Sequence, residues 1–586
     1  MKPLLRLKPY LLRYKRTLLW GVLTVIASNL FTVVQPMFLG LAIDELKVGM
    51  DTHSAVAGDL LRWAVIIVGF SVIAGVFTFL TRQTIIVVSR HIEFDLRNDL
   101  LSHLQSLSYS YFQNTPTGDL MAHATNDIGA VRNVLGPGIM YPTDTLLTFT
   151  MVLVLMLVKD WQLTLLALIP LPFASLMVYQ LGKQVHKKSL DRQAQFSLLT
   201  TRAQENLSGI RVIKSYVREE YEIGLFSKLS WDYLKKNLVL ARIQSLMWPL
   251  MFVIIGCSIV ITLYAGGLKV ISGELSIGSL SAFLAYLVML IWPVIAFGWV
   301  INLLQQGAAS MERLSKILDT SPEIKDTECT VRSIRDIEGR IEFRGVKFTH
   351  NGTAKPTLQN IDLTIERGMT VAIVGYTGSG KTSLINLIPR LYDISEGQLL
   401  IDGHDIKTIP LGVLRTHIGY VPQETFLFSD TLTENIRYGT DDGTPDHVQE
   451  AAEISQIAKD VLELPRQFDT MIGERGITLS GGQKQRTSIA RALIRQPKIL
   501  ILDDCLSAVD TYTEEEILRR LRTFMKGRTS IIISHRISTV KEADLIVVVD
   551  QGEIVERGTH NELVAKGGIY ADLNEKQLLE RELEEL

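Results

Sequence analysis

Gly375-Tyr376-Thr377-Gly378-Ser379-Gly380-Lys381-Thr382 fits the spacing G-x-x-x-x-G-K-[ST] in full. Glycines let successive backbone N–H groups curl round an anion without Cβ clashes, and a following helix points its positive end at the same place. In such a loop Lys381 reaches the β- and γ-phosphates of a nucleotide, the Thr382 hydroxyl sits on Mg2+, and Ser383 continues the helix. The pattern predicts a site for ATP or GTP.

Further stretches downstream could do chemistry with that ligand. Ile499–Asp503 is an apolar run ending in a carboxylate, suited to holding Mg2+ through water. Gln423, in Val421-Pro422-Gln423, could contact the metal and an attacking water. Leu479-Ser480-Gly481-Gly482-Gln483 opens a helix, whose free N–H groups make a second anion site. Ser507-Ala508-Val509-Asp510 follows the Asp503 strand, and His535, at the end of another apolar run, could bond a γ-phosphate.

The elements that must carry these residues are legible. Thr370–Val374 reads as a buried strand before the loop and Ser383–Ile388 as the helix after it. From about Arg340 onward strand-like and helical runs alternate, as in an α/β domain.

The first half is different. The chain has 586 residues, 47% of them hydrophobic, and a mean hydropathy of +0.21. Six stretches are long enough to cross a bilayer, which takes about 20 helical residues: Leu18–Ala42, Leu61–Ile85, Leu135–Val158, Trp161–Leu181, Leu246–Leu268 and Ile277–Leu303. Lys and Arg concentrate in the N-terminus, in Val87–Asn133 and in Gly182–Arg242, which places both termini and these two connections in the cytoplasm. Structureless connections of that length are rare, so they read as helices continuing past the membrane, broken near Thr115–Asp119 and Ser208-Gly209. Met1–Arg16 reads as an amphipathic helix on the cytoplasmic membrane surface. The formal charge of −2 gives no basic balance for nucleic acid, and Cys257, Cys329 and Cys505 are too scattered for a disulfide framework or a zinc site.

In this order and spacing, the phosphate loop, Gln423, the Leu479–Gln483 motif, Asp503, Ser507–Asp510 and His535 resemble an ATP-binding cassette (ABC) ATPase. With six spans and one cassette, the whole chain resembles a half-transporter of the ABC exporter type. The expected fold class is a membrane all-α domain plus an α/β P-loop ATPase domain. The expected division is a membrane domain at 1–317, a linker at 318–338, the cassette at 339–575 and a charged tail at 576–586. The resemblance implies a dimer of half-transporters that binds ATP between the phosphate loop of one subunit and the Leu479–Gln483 motif of the other. It also implies Mg2+ held by Thr382, Gln423 and Asp503, contact with membrane lipid, and short coupling helices at the two breaks.

Two positions depart from the family pattern. The residue after the Mg2+ carboxylate is normally glutamate, which polarises the attacking water; here it is Asp504. With the Leu479–Gln483 motif intact, this resembles the subunit of a heterodimeric multidrug exporter that carries the slow ATP site; a homodimer is the alternative. His350 stands where the family places an adenine-stacking tyrosine, with Phe348 as the other candidate for that contact.

Asp144 is a charged residue inside a span and so a substrate-site candidate. Met140, Met151, Met156, Met177, Met247, Met251 and Met289, with Trp248, Trp292, Phe297 and Trp299, favour a hydrophobic or amphipathic compound, cations included, over a sugar or an ion. A channel or regulatory subunit gated by ATP is the competing function class.

Overall fold

The computed structural model describes residues 2–52, 57–351, 353, 355–473 and 479–585. The chain divides into two compact units, residues 1–104 with 118–319 and residues 105–117 with 320–586.

Among the described residues six helices, lying almost wholly in the first unit, are long and apolar enough to span a membrane: Lys15–Asp51, Ala57–Ser106, Thr117–Lys159, Trp161–Ser208, Glu219–Ile271 and Ile277–Asp319. They run from 37 to 53 residues, far beyond the roughly 20 that hydrocarbon requires, so the polar connections are indeed helical extensions. Gly209 ends one extension, Ile210–Ser215 forms a separate short helix, and Glu219 starts the return. Along Ala57–Thr81 the side chains of Leu61, Val65, Val68, Val72, Val76 and Phe79 recur every three or four residues and are all exposed. Such a stripe suits a lipid environment, where hydrocarbon solvates it at no cost. The spans touch through Val33, Met156, Leu163, Phe283 and Tyr286, each at most 1% exposed.

Polar contacts fasten the two ends of this unit. At the outer end Asp44 accepts the Gly278 N–H at 2.7 Å and the Ser276 hydroxyl at 2.6 Å, while Lys269 pairs with Asp160 at 2.5 Å. On the cytoplasmic extensions Asp127 accepts from Arg313 and lies 2.6 Å from His123 Nδ1. Two basic residues and a tyrosine of the N-terminus find partners within the protein. Arg13 pairs with Asp95 at 2.6 Å, Arg6 pairs with Asp319 at 2.5 Å, and Tyr10 donates to Asp99 at 2.6 Å. The side chain of Phe297 lies outside the described residues.

Among the described residues the second unit holds ten strands: β1 Ile341–Phe348, β2 Leu358–Ile365, β3 Thr370–Val374, β4 Glu396–Ile401, β5 His404–Asp405, β6 Ile418–Val421, β7 Ile499–Asp503, β8 Thr529–Ile533, β9 Leu545–Asp550 and β10 Glu553–Gly558. They form an antiparallel sheet ordered β2-β1-β4-β5 and a six-stranded sheet ordered β10-β9-β3-β8-β7-β6, parallel except at β10. Strands β3, β7 and β8 are almost wholly buried, as continuous apolar runs inside a parallel sheet must be. Their C-terminal ends lie side by side, the usual place for a ligand in an open α/β sheet.

Residues 105–117 fold with this unit. The short helix Tyr109–Asn114 is closed by Thr115, which is extended ahead of Pro116 as proline requires. The Ser108 hydroxyl accepts the Ile324 N–H at 2.9 Å, Ser110 donates to Glu323 at 2.7 Å, and Tyr109 stands edge-on to Tyr392.

Candidate functional site

The phosphate loop leaves β3 at Val374 and re-enters helix at Lys381–Asn386, two residues earlier than the sequence suggested. Its glycines are needed. Gly375 has φ +147° and a Cβ there would meet the Val549 carbonyl at 2.1 Å; Gly380, at φ +102°, is left-handed.

The loop, β6, β7 and β8 converge on one cavity of about 220 Å3, lined by Thr377, Gly378, Lys381, Thr382, Gln423, Asp503, Asp504 and His535 among others. Lys381 Nζ donates to the carbonyls of Gly375 and Tyr376, both at 2.8 Å. Thr382 Oγ1 donates to Asp503 Oδ1 at 3.4 Å. Asp503 is 1% exposed, and its Oδ2 has no hydrogen-bond partner among the described residues; nor has Ser379 Oγ. Burial lowers the Lys381 ammonium below its usual range and raises the Asp503 carboxyl, the Thr382 hydrogen bond opposing the latter. Asp504 sits just past β7 with φ +45°, its N–H bonded to the Ile533 carbonyl at 2.9 Å. The next residue, Cys505, is buried, which pushes its thiol up to about 12 and leaves it inert.

His350 does not line that cavity. Its Nε2 lies 3.1 Å from Ser383 Oγ, and its ring meets Phe348 and Tyr392 edge-on at 4.6 and 5.1 Å. Burial lowers its pKa below the usual imidazole range.

The other predicted residues gather elsewhere. Ser480 caps the helix Gly481–Leu493 in a reciprocal box with Gln483: its hydroxyl accepts the Gln483 N–H at 3.3 Å, and its own N–H donates to Gln483 Oε1 at 3.0 Å. Leu479 is buried beneath it. Gln485, one turn on, holds the Ser507–Asp510 segment against this helix, donating to Ser507 Oγ at 3.1 Å and accepting the Ala508 N–H at 3.0 Å. The backbone of Gly482 passes so close to Ala508 that a Cβ would stand 2.9 Å from its carbonyl, and Val509 is buried. Asp510 caps the next helix through the Thr513 N–H at 2.9 Å. The capped end of the Ser480 helix thus lies apart from the phosphate-loop cavity and shares none of its lining residues.

Sequence reasoning gave no functional part to the C-terminal helix, expected as a charged tail at 576–586. It begins at Ile569, and Lys576 lies over the Tyr376 ring at 5.9 Å. Gln577 accepts the Ile537 N–H at 2.8 Å and donates to the His535 carbonyl. Only its neighbourhood in space gives it a part in the site, and no local spacing signals that.

The family description "ABC transporter transmembrane region" matches residues 18–294, and "ABC transporter" matches residues 358–507. The chain is 40% identical to a probable multidrug resistance ABC transporter ATP-binding/permease protein, YheI, of Bacillus subtilis, over 98% of this chain and 96% of that protein. It is 36% identical to an ATP-dependent lipid A-core flippase of Syntrophus aciditrophicus, over 96% of this chain and 91% of that protein. Among solved structures, a bacterial Atm1-family ABC exporter with ATP bound superposes with a TM-score of 0.80 at 27% identity, covering 96% of this chain and 99% of that one.

Proposed function

We propose a function from one premise: the chain belongs to the ABC transporter family, as a half-transporter of the exporter type with six membrane spans fused to one ATPase cassette. It is a multi-pass protein of the cytoplasmic membrane with a cytoplasmic ATPase domain, and ATP-driven export is its activity. The finer reading is that it exports hydrophobic or amphipathic compounds as one half of a heterodimer, its own phosphate loop serving the slower of two ATP sites.

One observation carries this reading. The cavity that holds the phosphate loop, Gln423, Asp503, Asp504 and His535 includes no part of Leu479–Gln483. Two chains facing head to tail would place the positive end of the helix Gly481–Leu493 of each on the γ-phosphate held by the other, so that ATP joins them. Hydrolysis would then remove the bridging charge and let them part. Mg2+ fits the donor set. It favours hard oxygens, few of them from protein, and the buried, partnerless Asp503 Oδ2 beside Thr382 Oγ1 supplies such a pair, with Gln423 at the rim. The ion would neutralise charge on the β- and γ-phosphates, while Gln423 and Asp504 orient water and His535 bonds the γ-phosphate. His350, rather than Phe348, would meet adenine, because Phe348 is only 3% exposed.

Asp504 supports the asymmetric pair. Losing one methylene from glutamate withdraws the carboxylate by about 1.5 Å, and a misplacement of about 1 Å costs on the order of 10²-fold. The helix Tyr109–Asn114, packed on its own cassette, fits a coupling element. The tip Ile210–Ser215, with Val212, Tyr216 and Val217 exposed, fits one that docks on the partner.

The test is purification of the chain from native membranes, with ATP-dependent uptake of hydrophobic compounds into inside-out vesicles. A copurifying ABC subunit with glutamate after its Mg2+ carboxylate is expected. A chain that purifies alone as a fully active dimer would replace the heterodimer with a homodimer.

A further inference from the structure

Asp144 is the one Asp, Glu, Lys, Arg or His in the central apolar stretches of the six spans, Arg62 and Arg82 standing at the two ends of the second. The stretches Leu18–Ile43, Trp63–Thr81, Trp161–Gly182, Ile243–Leu268 and Ile277–Met311 contain no Asp, Glu, Lys, Arg or His, and Asn133–Val158 contains Asp144 alone. The nearest basic residues on its own helix, Arg132 and Lys159, lie roughly 18 and 22 Å along the axis at about 1.5 Å per residue. Arg82 of the second span stands about one turn toward the cytoplasm, just past Thr81, whose hydroxyl bonds Thr24, but no ion pair reaches Asp144 among the described residues.

The protein supplies a fixed neutral donor instead. Asn29, only 4% exposed, donates from Nδ2 to Asp144 Oδ1 at 2.7 Å. The same amide nitrogen donates to the Val25 carbonyl at 3.1 Å, and its oxygen accepts from Thr148, one turn beyond Asp144 on the same face. Asn29 is thereby locked with its amide toward the carboxylate. The other oxygen, Oδ2, has no hydrogen bond among the described residues, and Asp144 is half-buried rather than sealed. One turn before it, Tyr141 meets Trp299 of the sixth span edge-on at 5.1 Å, and Trp299 is 46% exposed. A half-open carboxylate thus stands beside aromatic rings among the first, third and sixth spans. Charged groups in spans face the interior or a cavity, because lipid cannot solvate them.

A carboxylate with one free oxygen, one neutral donor and aromatic neighbours suits an organic cation with an apolar body. The carboxylate balances its charge and the rings accept its cationic face. One carboxylate and an amide are too few ligands for a dehydrated metal ion. We propose that Asp144 is the charge-recognising residue of a substrate site for lipophilic cations, with Asn29 positioning it and Tyr141 and Trp299 forming its aromatic wall. This rests on the exporter reading and adds the substrate class.

Tetraphenylphosphonium and tetraphenylborate share a shape and carry opposite charge, so together they separate charge recognition from apolar fit. Binding of each is measured without ATP on the purified full-length protein, with any subunit that accompanies it, in lipid nanodiscs. Asp144→Asn should weaken phosphonium binding by about tenfold or more, as loss of a charge-assisted contact does. Asp144→Glu should restore most of it, and borate binding should not weaken in either variant. Phosphonium affinity unchanged within about twofold in Asp144→Asn, or an equal fall for both ions, overturns the proposal. Failure here would leave export intact, because that reading falls only if vesicles show no ATP-dependent uptake of any hydrophobic compound.

Discussion

Gln577 brackets the turn that carries His535: its side-chain oxygen accepts the Ile537 N–H at 2.8 Å and its amide donates to the His535 carbonyl. The histidine itself is exposed at the rim of the phosphate cavity, so its backbone must be fixed from outside. The helix Ile569–Glu585 does this, although it is far from the phosphate loop in sequence. Gln577→Ala should lower kcat about tenfold by loosening His535, while ATP affinity stays near wild type, because the phosphate loop is untouched. Steady-state ATPase rates together with direct nucleotide binding check it; a parallel loss of both would mean that the helix supports the fold rather than the site.

At the outer end of the spans the main chain itself forms the contact. A Cβ on Gly278 would stand 1.9 Å from the Gly40 carbonyl and 2.6 Å from the Asp44 carboxyl carbon. Backbone cannot move aside as a flexible side chain can. Gly278→Ala should therefore destabilise the membrane unit by about 1–3 kcal/mol, read as a lower thermal midpoint in detergent. An unchanged midpoint would show that the first and sixth spans are not held together here.

Lys381 donates to two loop carbonyls and is the cation that a bound polyphosphate would meet. Lys381→Ala should reduce ATP affinity by more than about a hundredfold, since hydrogen bonds between charged partners are roughly twice as strong as neutral ones. Titration of the purified variant with a fluorescent nucleotide measures it. Affinity within a few-fold of wild type would refute the role given to the loop.

What the sequence made legible were features whose physics is local. The phosphate loop needs glycines at fixed spacing, the spans need length without charge, and Ser480 with Gln483 is a capping pair three residues apart. Contacts between distant segments leave no such trace. Gln577 looks like any surface glutamine, and Tyr109 like any aromatic in a polar connection, until the fold sets it against Tyr392 at 5.8 Å. The basic N-terminus shows the same limit. Its basic residues are plain in the sequence, while the carboxylates that pair with Arg13 and Arg6, Asp95 and Asp319, stand far away along the chain.

Asp504 and Ser480 belong to different ATP sites if the chain works in a head-to-tail pair, and that separation can be measured. Ser480 caps the helix that would face the partner's nucleotide, so Ser480→Ala should remove most ATPase activity of a complex whose partner carries the fast site. Asp504 lines the cavity of the chain's own phosphate loop, and in the asymmetric pair that site is already slow. Asp504→Asn should then cost little. Asp504→Glu, which restores about 1.5 Å of reach, should give only a limited gain in a heterodimer, where the partner's helix still limits the same site. In a homodimer both sites would improve and turnover should rise substantially. Steady-state rates of the three variants decide between the two assemblies. Activity abolished by Asp504→Asn yet tolerant of Ser480→Ala would eliminate the asymmetric pair, because turnover would then depend on this chain's own carboxylate.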